Sequence, residues 1–298
     1  MRFKKSLVIF LAVVLTLLSV GCNKENKDHY SDSHLTVYFF DVGQADSSLL
    51  IFPDGTVILI DAGNRNDGAL IADQLRALNI NKLDYLVLTH PHEDHIGGAV
   101  DVFNMLAVTT VCLPEIDEDY LPDSAIFEDV LESIEKEDCE TVYLSANTVL
   151  LEKEDYNVTA FTPNLESVYS DLNDYSATLL VNCFTNTILF TGDAESPAEL
   201  DMLRLKKNLD ADILKVGHHG SKDSSTDEFL KAVTPKVSVI SVGAGNSYGH
   251  PTKAALQRLE GIGSKIYRTD TVGTVIAKCY NGGFNIETDK NICVDGDR

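Results

Sequence analysis

Three histidines and an aspartate fall within six residues at His90, His92, Asp94 and His95, in the string Thr89-His90-Pro91-His92-Glu93-Asp94-His95-Ile96-Gly97-Gly98. Imidazole suits zinc and other transition metals, and carboxylate suits harder ions such as manganese. A single histidine here could be a hydrogen-bonded core residue, and a polar loop could do without metal. Four ligand-type side chains at this spacing point instead to a metal centre. Tyr85–Leu88 reads as a short apolar strand, so the string starts at a strand end, where alternate positions of a loop can converge on one point. Gly97 and Gly98 let the following helix start close to that point.

The elements that must position this loop alternate along the chain. Leu35–Phe40, Ser48–Phe52 and Val57–Ile60 read as strands, with Pro53-Asp54-Gly55 as a turn. Ala69–Leu78 has helical spacing, with Asp67 as its expected cap. Gly97–Met105 reads as one helix, Val108–Leu113 as a strand and Ser124–Lys136 as an acidic amphipathic helix. Short strands follow at Val142–Leu144, Val149–Leu151 and Val158–Phe161. Ala177–Phe184 and Ile188–Thr191 read as a hairpin. Ala198–Lys207, Glu228–Val233 and Lys253–Glu260 read as helices between the strands Ile213–Val216, Val237–Ser241 and Lys265–Arg268, and Thr274–Tyr280 closes the sheet. Two sheets packed face to face with helices outside, in one domain, accommodate this order.

The string His90–His95 fits the pattern HxHxDH, and in this the chain resembles the metallo-β-lactamase superfamily. Leu59-Ile60-Asp61-Ala62-Gly63, Phe190-Thr191-Gly192-Asp193 and Val216-Gly217-His218 resemble further motifs of that family, in its order. Phe40-Asp41-Val42-Gly43-Gln44-Ala45-Asp46-Ser47, the string Leu214 to Ser221 and Tyr248-Gly249-His250-Pro251 are similar to the ComEC-like metallo-hydrolase domain. The resemblance runs from about residue 35 to 280. It implies an α/β fold, an αββα sandwich of two mixed sheets flanked by helices, with metals at one sheet edge. It also implies two divalent ions, Zn²⁺ or Mn²⁺. One would take His90, His92 and a third ligand; the other would take Asp94, His95 and His218, with Asp193 bridging. Many relatives have a third histidine where this chain has Asn173-Asp174-Tyr175-Ser176, so Asn173, Asp174 or water is expected to fill in, which favours manganese. Asp94, His219 and His250 are the expected catalytic residues. The loop geometry stays open at this level, so His219 or His250 could replace His218 as a ligand. Asp41, Asp46 and Asp61 are expected to orient the ligating rings.

Such a centre implies hydrolysis by a metal-bridging hydroxide without a nucleophilic side chain. The expected substrate is a phosphoester, either nucleic acid or a phosphorylated envelope component. A carboxyl-ester or lactone hydrolase of the same fold, and a non-catalytic envelope binding protein with a degenerate site, are the alternatives. Charge bears on this choice. With 24 Lys and Arg against 46 Asp and Glu the net charge is −22, which repels polyanions, whereas a nuclease tracks phosphates with basic side chains. Lys215, Lys222, Lys231, Lys236, Lys253 and Arg258 are scattered around the site loops and could form a local basic rim.

The N-terminus reads separately. Arg2, Lys4 and Lys5 precede the apolar run Leu7–Val20, which is shorter than the roughly 20 residues of a spanning helix. Together they read as a secretory signal. Gly21-Cys22 resembles a bacterial lipobox, although Ser19 stands where such boxes usually have leucine. The expected organisation is therefore a lipoprotein signal over residues 1–22, a tether over 23–33 and the hydrolase domain over 34–298, held outside the cell membrane by lipid on Cys22. Cys112, Cys183 and Cys279 lie in strand-like apolar runs and are expected in the core.

Overall fold

Strands that face a core on one side and helices on the other are apolar throughout, whereas strands with a solvent face alternate. Both patterns occur here. The computed structural model describes residues 34–296; the expected signal, Cys22 and tether lie outside the described residues. The first sheet begins with β1 (His34–Phe39), β2 (Ser48–Ile51), β3 (Val57–Ile60), β4 (Lys82–Val87), β5 (Ala107–Pro114) and β6 (Glu140–Leu144). The second holds β7 (Val149–Glu152), β8 (Tyr156–Ala160), β9 (Leu179–Cys183), β10 (Asn186–Phe190), β11 (Ile213–Lys215), β12 (Val237–Ile240) and β13 (Lys265–Arg268). The chain then returns to the first sheet with β14 (Thr274–Tyr280) and β15 (Gly283–Asp289), giving the orders β15-β14-β1-β2-β3-β4-β5-β6 and β13-β12-β11-β10-β9-β8-β7.

Both sheets are mixed. β3 to β6 run parallel, as do β10 to β13, and the other pairs are antiparallel. Between the sheets, Val37, Phe39, Leu50 and Ile58 meet Val158, Val181, Ile188 and Phe190, with the Phe39 and Phe190 rings stacked at 5.7 Å. Outside the first sheet pack α1 (Gly68–Ala77), α2 (Glu93–Ile96), α3 (Ala99–Met105) and α4 (Ala125–Glu137). Outside the second pack α5 (Ser196–Arg204), α6 (Asp227–Val233) and α7 (Lys253–Gly261). This is the expected αββα sandwich.

Several details differ from the sequence reading. The expected helix over Gly97–Met105 begins two residues later as α3, and a separate short helix, α2, precedes it within the histidine loop. A Cβ on Gly98 would overlap the Ala62 carbonyl and Gly68, so the glycine permits close approach of α1, α3 and the loop after β3. Asp67 does not cap α1 through its side chain; its carboxylate accepts from the Asn64 and Gly296 amides instead, tying the C-terminal segment down. β15, an edge strand, has no counterpart among the expected strands because it is mostly polar and only partly buried.

Candidate metal centre

Parallel strands deliver their C-terminal ends to one edge, where open α/β sheets form crevices. β4 leads into the His90–His95 loop, and Asp61 follows β3 with a left-handed φ of 60°. The Asp61 carboxylate accepts from the Thr89 amide at 2.7 Å and the Thr89 hydroxyl at 2.8 Å. Its Oδ2 also lies 2.7 Å from His95 Nδ1. That bond directs His95 Nε2 to Asp193, whose Oδ1 is 3.2 Å away. His92 is the extended residue before α2, so Asp94 and His95 occupy its first turn. The His90 ring is buried; Nδ1 faces Ser176 Oγ at 3.3 Å and Nε2 faces His92 Nδ1 at 3.1 Å.

The second sheet supplies the opposite wall. Asp193 follows β10, and its amide donates to Ser176 Oγ at 3.0 Å. After β11, His218 (φ 47°, ψ 51°) and His219 (φ 51°, ψ 23°) are successive left-handed residues. This turn sends their rings in different directions. His219 is buried, and its Nδ1–H donates to the Ser241 carbonyl at 3.0 Å. That leaves Nε2 to face the carboxylates, 3.2 Å from Asp94 Oδ2 and 3.6 Å from Asp193 Oδ2. His218 is partly exposed, with Nδ1 at 2.8 Å from Glu195 Oε1 and Nε2 at 3.7 Å from Asp193 Oδ2. The ligand atoms of Asp94, His95, Asp193 and His219 lie within 4.8 Å of one another. Of the two histidines left open as ligands, the structure places His219 within the cluster and His218 beside it. The resemblance pointed to His218, but the left-handed turn carries its ring to the side of the cluster. His90 and His92 form a pair next to the cluster rather than within it.

The donor set fits a cation. His95 Nε2 and Asp193 Oδ1 are close but lack hydrogen-bond geometry, and both are buried without a hydrogen-bond partner, as is Asn173 Oδ1. Such groups are costly unless something satisfies them. Burial lowers the pKa of His90 well below the ordinary value, assisted by His95, so its ring is neutral. Burial works in the same direction on His95 and His219, but the carboxylates prevail. Asp193 and Asp61 hold His95 well above the usual histidine range, and Asp193 and Asp94 bring His219 to about 9. Burial would raise Asp94 and Asp193, yet His219 and His95 hold both below the usual carboxylate range. The acids at this point thus gather positive charge on the rings around them.

Above the cluster is a cavity of about 340 Å³, whose wall includes Gln44, Asn173, His218, Tyr248 and His250. The His218 and His250 rings meet edge to face at 5.3 Å. Of the two expected third ligands, only Asn173 faces this cavity. Asp174 is turned away, its Oδ1 accepting from the Glu195 and Ala198 amides at the start of α5; burial raises its carboxyl to about 6. Among the described residues no Lys or Arg lines the cavity, so the basic rim does not form on its wall. Lys215 is buried on Asp46, Lys222 and Lys236 pair with Asp223 and Asp212, and Arg258 binds the carbonyls of Lys222, Ser224 and Ser225. Glu195, which orients His218, was not foreseen; its place at the N-terminal end of an expected helix carried no signal.

Residues 41–244 match the family model described as the metallo-beta-lactamase superfamily. Among curated proteins the chain is similar to ComE operon protein 3 of Bacillus subtilis, 33% identical over 71% of this chain and 27% of that protein. It is also similar to competence protein ComA of Neisseria gonorrhoeae, 29% identical over 90% of this chain and 36% of that one. Recombination protein 2 of Haemophilus influenzae is 26% identical, over 83% of this chain and 29% of that one. The chain thus spans between a quarter and two-fifths of the length of these relatives. Among solved structures, the metallo hydrolase Igni18 of Ignicoccus hospitalis shares the fold, with a TM-score of 0.51 and 18% identity over 81% of this chain and 98% of its own.

Proposed function

The chain belongs to the metallo-β-lactamase superfamily of metal-dependent hydrolases, and from that premise we propose that it cleaves phosphodiester bonds outside the cell membrane. The observation that carries the reading is the convergence of Asp94, His95, Asp193 and His219 beneath an open cavity. These four residues would hold one divalent ion, and His90 and His92, with Asn173 nearby and Asp193 shared, a second. Bound Zn²⁺ or Mn²⁺ supplies Lewis-acid activation of water and of a phosphoryl oxygen. The amide oxygen of Asn173, in place of a third imidazole, favours manganese.

The remaining work falls to the protein. Asp61 holds the His95 ring in one tautomer, and the Ser241 carbonyl does the same for His219. Among the described residues the cavity wall carries no serine, threonine, cysteine or lysine that could attack the substrate, which suits direct hydrolysis. His218 replaces His219 as the proton donor to the leaving group, because Glu195 orients its ring and its Nε2 faces the cluster. His250, against His218, is the alternative donor. Relatives named for competence and recombination support a phosphodiester of the nucleic-acid type. The wall without Lys or Arg favours short substrates over long duplexes.

The test is a panel of bis(p-nitrophenyl) phosphate, single- and double-stranded DNA, a phosphorylcholine ester, a lactone and nitrocefin, each with Mn²⁺ and with Zn²⁺. Turnover of the diesters is expected. Activity confined to the lactone or nitrocefin would replace this reading with carboxyl chemistry, and metal uptake without any turnover would replace it with a binding role. The location rests on residues 2–22 alone: Cys22→Ala should release the protein from the membrane fraction, and unchanged fractionation would remove the anchor.

A further inference from the structure

Beneath the cluster, on the side away from the cavity, lies a lysine that the hydrolytic reading does not use. Lys215 ends β11 and is 3% exposed. Its ammonium donates to Asp46 Oδ2 at 2.7 Å and to the Val216 carbonyl at 3.0 Å. Asp46 belongs to the first-sheet side of the site: its amide donates to the Asp94 carbonyl and its carbonyl accepts from the Gly63 amide. The pair therefore crosses from one sheet to the other under the metal loop. Oxygens of Asp46 and Asp61 lie within 4.8 Å of each other and of a His95 nitrogen. That trio resembles a cation site in composition, but His95 Nδ1 is already bonded to Asp61, and the Lys215 ammonium already serves Asp46.

We propose that Lys215 is a fixed third cation of this centre, which sets its net charge and thereby its affinity for anions. The inference rests on the two-ion reading above. Asp46, Asp61, Asp94 and Asp193 surround His95 and His219. Two divalent ions would offset these four carboxylates, while Glu93 on the cavity wall and Glu195 against His218 add further negative charge. Lys215, buried on Asp46, shifts the loaded centre by one positive charge against these acids. An anionic phosphodiester must approach a protein of net charge −22 through a cavity whose wall, among the described residues, has no Lys or Arg. The attraction it needs comes from below. Lysine suits this place because it is a compact point charge, and burial preserves its field against screening.

A positioning residue that acts through charge has a signature that a merely structural brace lacks: its removal and the removal of its partner act in opposite directions. Lys215→Gln keeps a donor for Asp46 and deletes one positive charge. It should bind Mn²⁺ roughly tenfold more tightly, and inorganic phosphate should bind the Mn²⁺-loaded protein roughly tenfold more weakly. Asp46→Asn keeps an acceptor for Lys215 and should shift both affinities the other way. The double variant Lys215→Gln/Asp46→Asn should return both to within about threefold of the parent, since the two charge changes cancel. Titration calorimetry with Mn²⁺ alone, then with phosphate on the loaded protein, reads all of these. Shifts of the same sign in both single variants, or no recovery in the double variant, would overturn the proposal in favour of a structural brace. Should Lys215→Gln fail to fold, Asp46→Asn decides: weaker Mn²⁺ with tighter phosphate supports the fixed cation, and any other pattern removes it. A parent protein that binds no Mn²⁺ or Zn²⁺ would instead bring down the two-ion reading itself, and this inference with it.

Discussion

The two walls of the centre are built on different principles. On the first sheet, His90, His92, Asp94 and His95 come from one strand exit and the first turn of one helix, and Asp61 clamps Thr89 and His95 at opposite ends of the loop. Spacing along the chain there translates directly into direction in space. On the second sheet, Asp193 and His219 come from separate loops, and two adjacent left-handed residues decide which histidine turns inward. Direction on this side is set by tertiary bonds: Ser241 holds His219, Glu195 holds His218, and Ser176 holds the Asp193 amide. A ligand set in one regular element is robust to its surroundings, and one in irregular backbone is only as well defined as the bonds that shape it.

The strongest way to break the comparison is to remove the residue on which the walls meet. Asp193 reaches His95 of the first wall and His219 of the second. Losing a partner that merely orients a ligand costs roughly 10–100-fold in metal affinity or activity. Asp193→Ala should exceed that range, with at least one ion lost by elemental analysis and turnover of bis(p-nitrophenyl) phosphate down by more than about a thousandfold. Retained metal with turnover within about tenfold of the parent would mean that the walls do not share a centre.

The adjacent histidines give the next largest effect and test the second wall alone. His219→Ala should lower metal affinity by more than about 100-fold. His218→Ala should keep the metal and lose about a hundredfold in turnover of alkyl phosphodiesters, within the range of general acid catalysis. Its loss should be smaller on p-nitrophenyl diesters, whose leaving group needs no proton. Metal lost from His218→Ala and retained in His219→Ala would restore the assignment that the family resemblance implies.

Legibility in the sequence follows the same division. The αββα architecture, most strands and the first-wall residues were readable, because periodicity and HxHxDH spacing are local properties. Asp193 was legible only through the resemblance of Phe190-Thr191-Gly192-Asp193 to a family motif. The order of His218 and His219 was not, since a left-handed turn at two non-glycine residues leaves no mark on composition. Asp174 and Asn173 could not be told apart either: which of two neighbours faces the cavity depended on the unpaired amides at the start of α5, and these took Asp174. Lys215 read as one of several basic residues that could rim the site, because nothing in the sequence reports that Asp46 lies across from it.

The smallest effect concerns what shapes the second wall from behind. Glu199, on α5, accepts from the amides of Ser225 and Thr226 and from the Thr226 hydroxyl, and so fixes the chain that leaves the His218-His219 turn. Ser225 has a left-handed φ of 55°, so the segment would relax without those bonds. Burial pushes the Glu199 carboxyl up to about 7, although Thr226, Ser225 and Arg258 favour the carboxylate. A carboxyl whose pKa is raised on folding holds its proton more tightly in the native state. Its contribution to stability is therefore fully present below about pH 4.5, the ordinary glutamate value, and is lost as pH rises through about 7. Between pH 5 and pH 8 this amounts to about 2 kcal/mol. Glu199→Gln keeps the size and one acceptor but does not titrate. In urea unfolding of the metal-free protein, the parent should lose about 2 kcal/mol more than the variant between those two pH values, and every group common to both cancels in the difference. Equal pH dependence in the two proteins would mean that Glu199 is already ionised in the fold at pH 5, with its three donors outweighing burial.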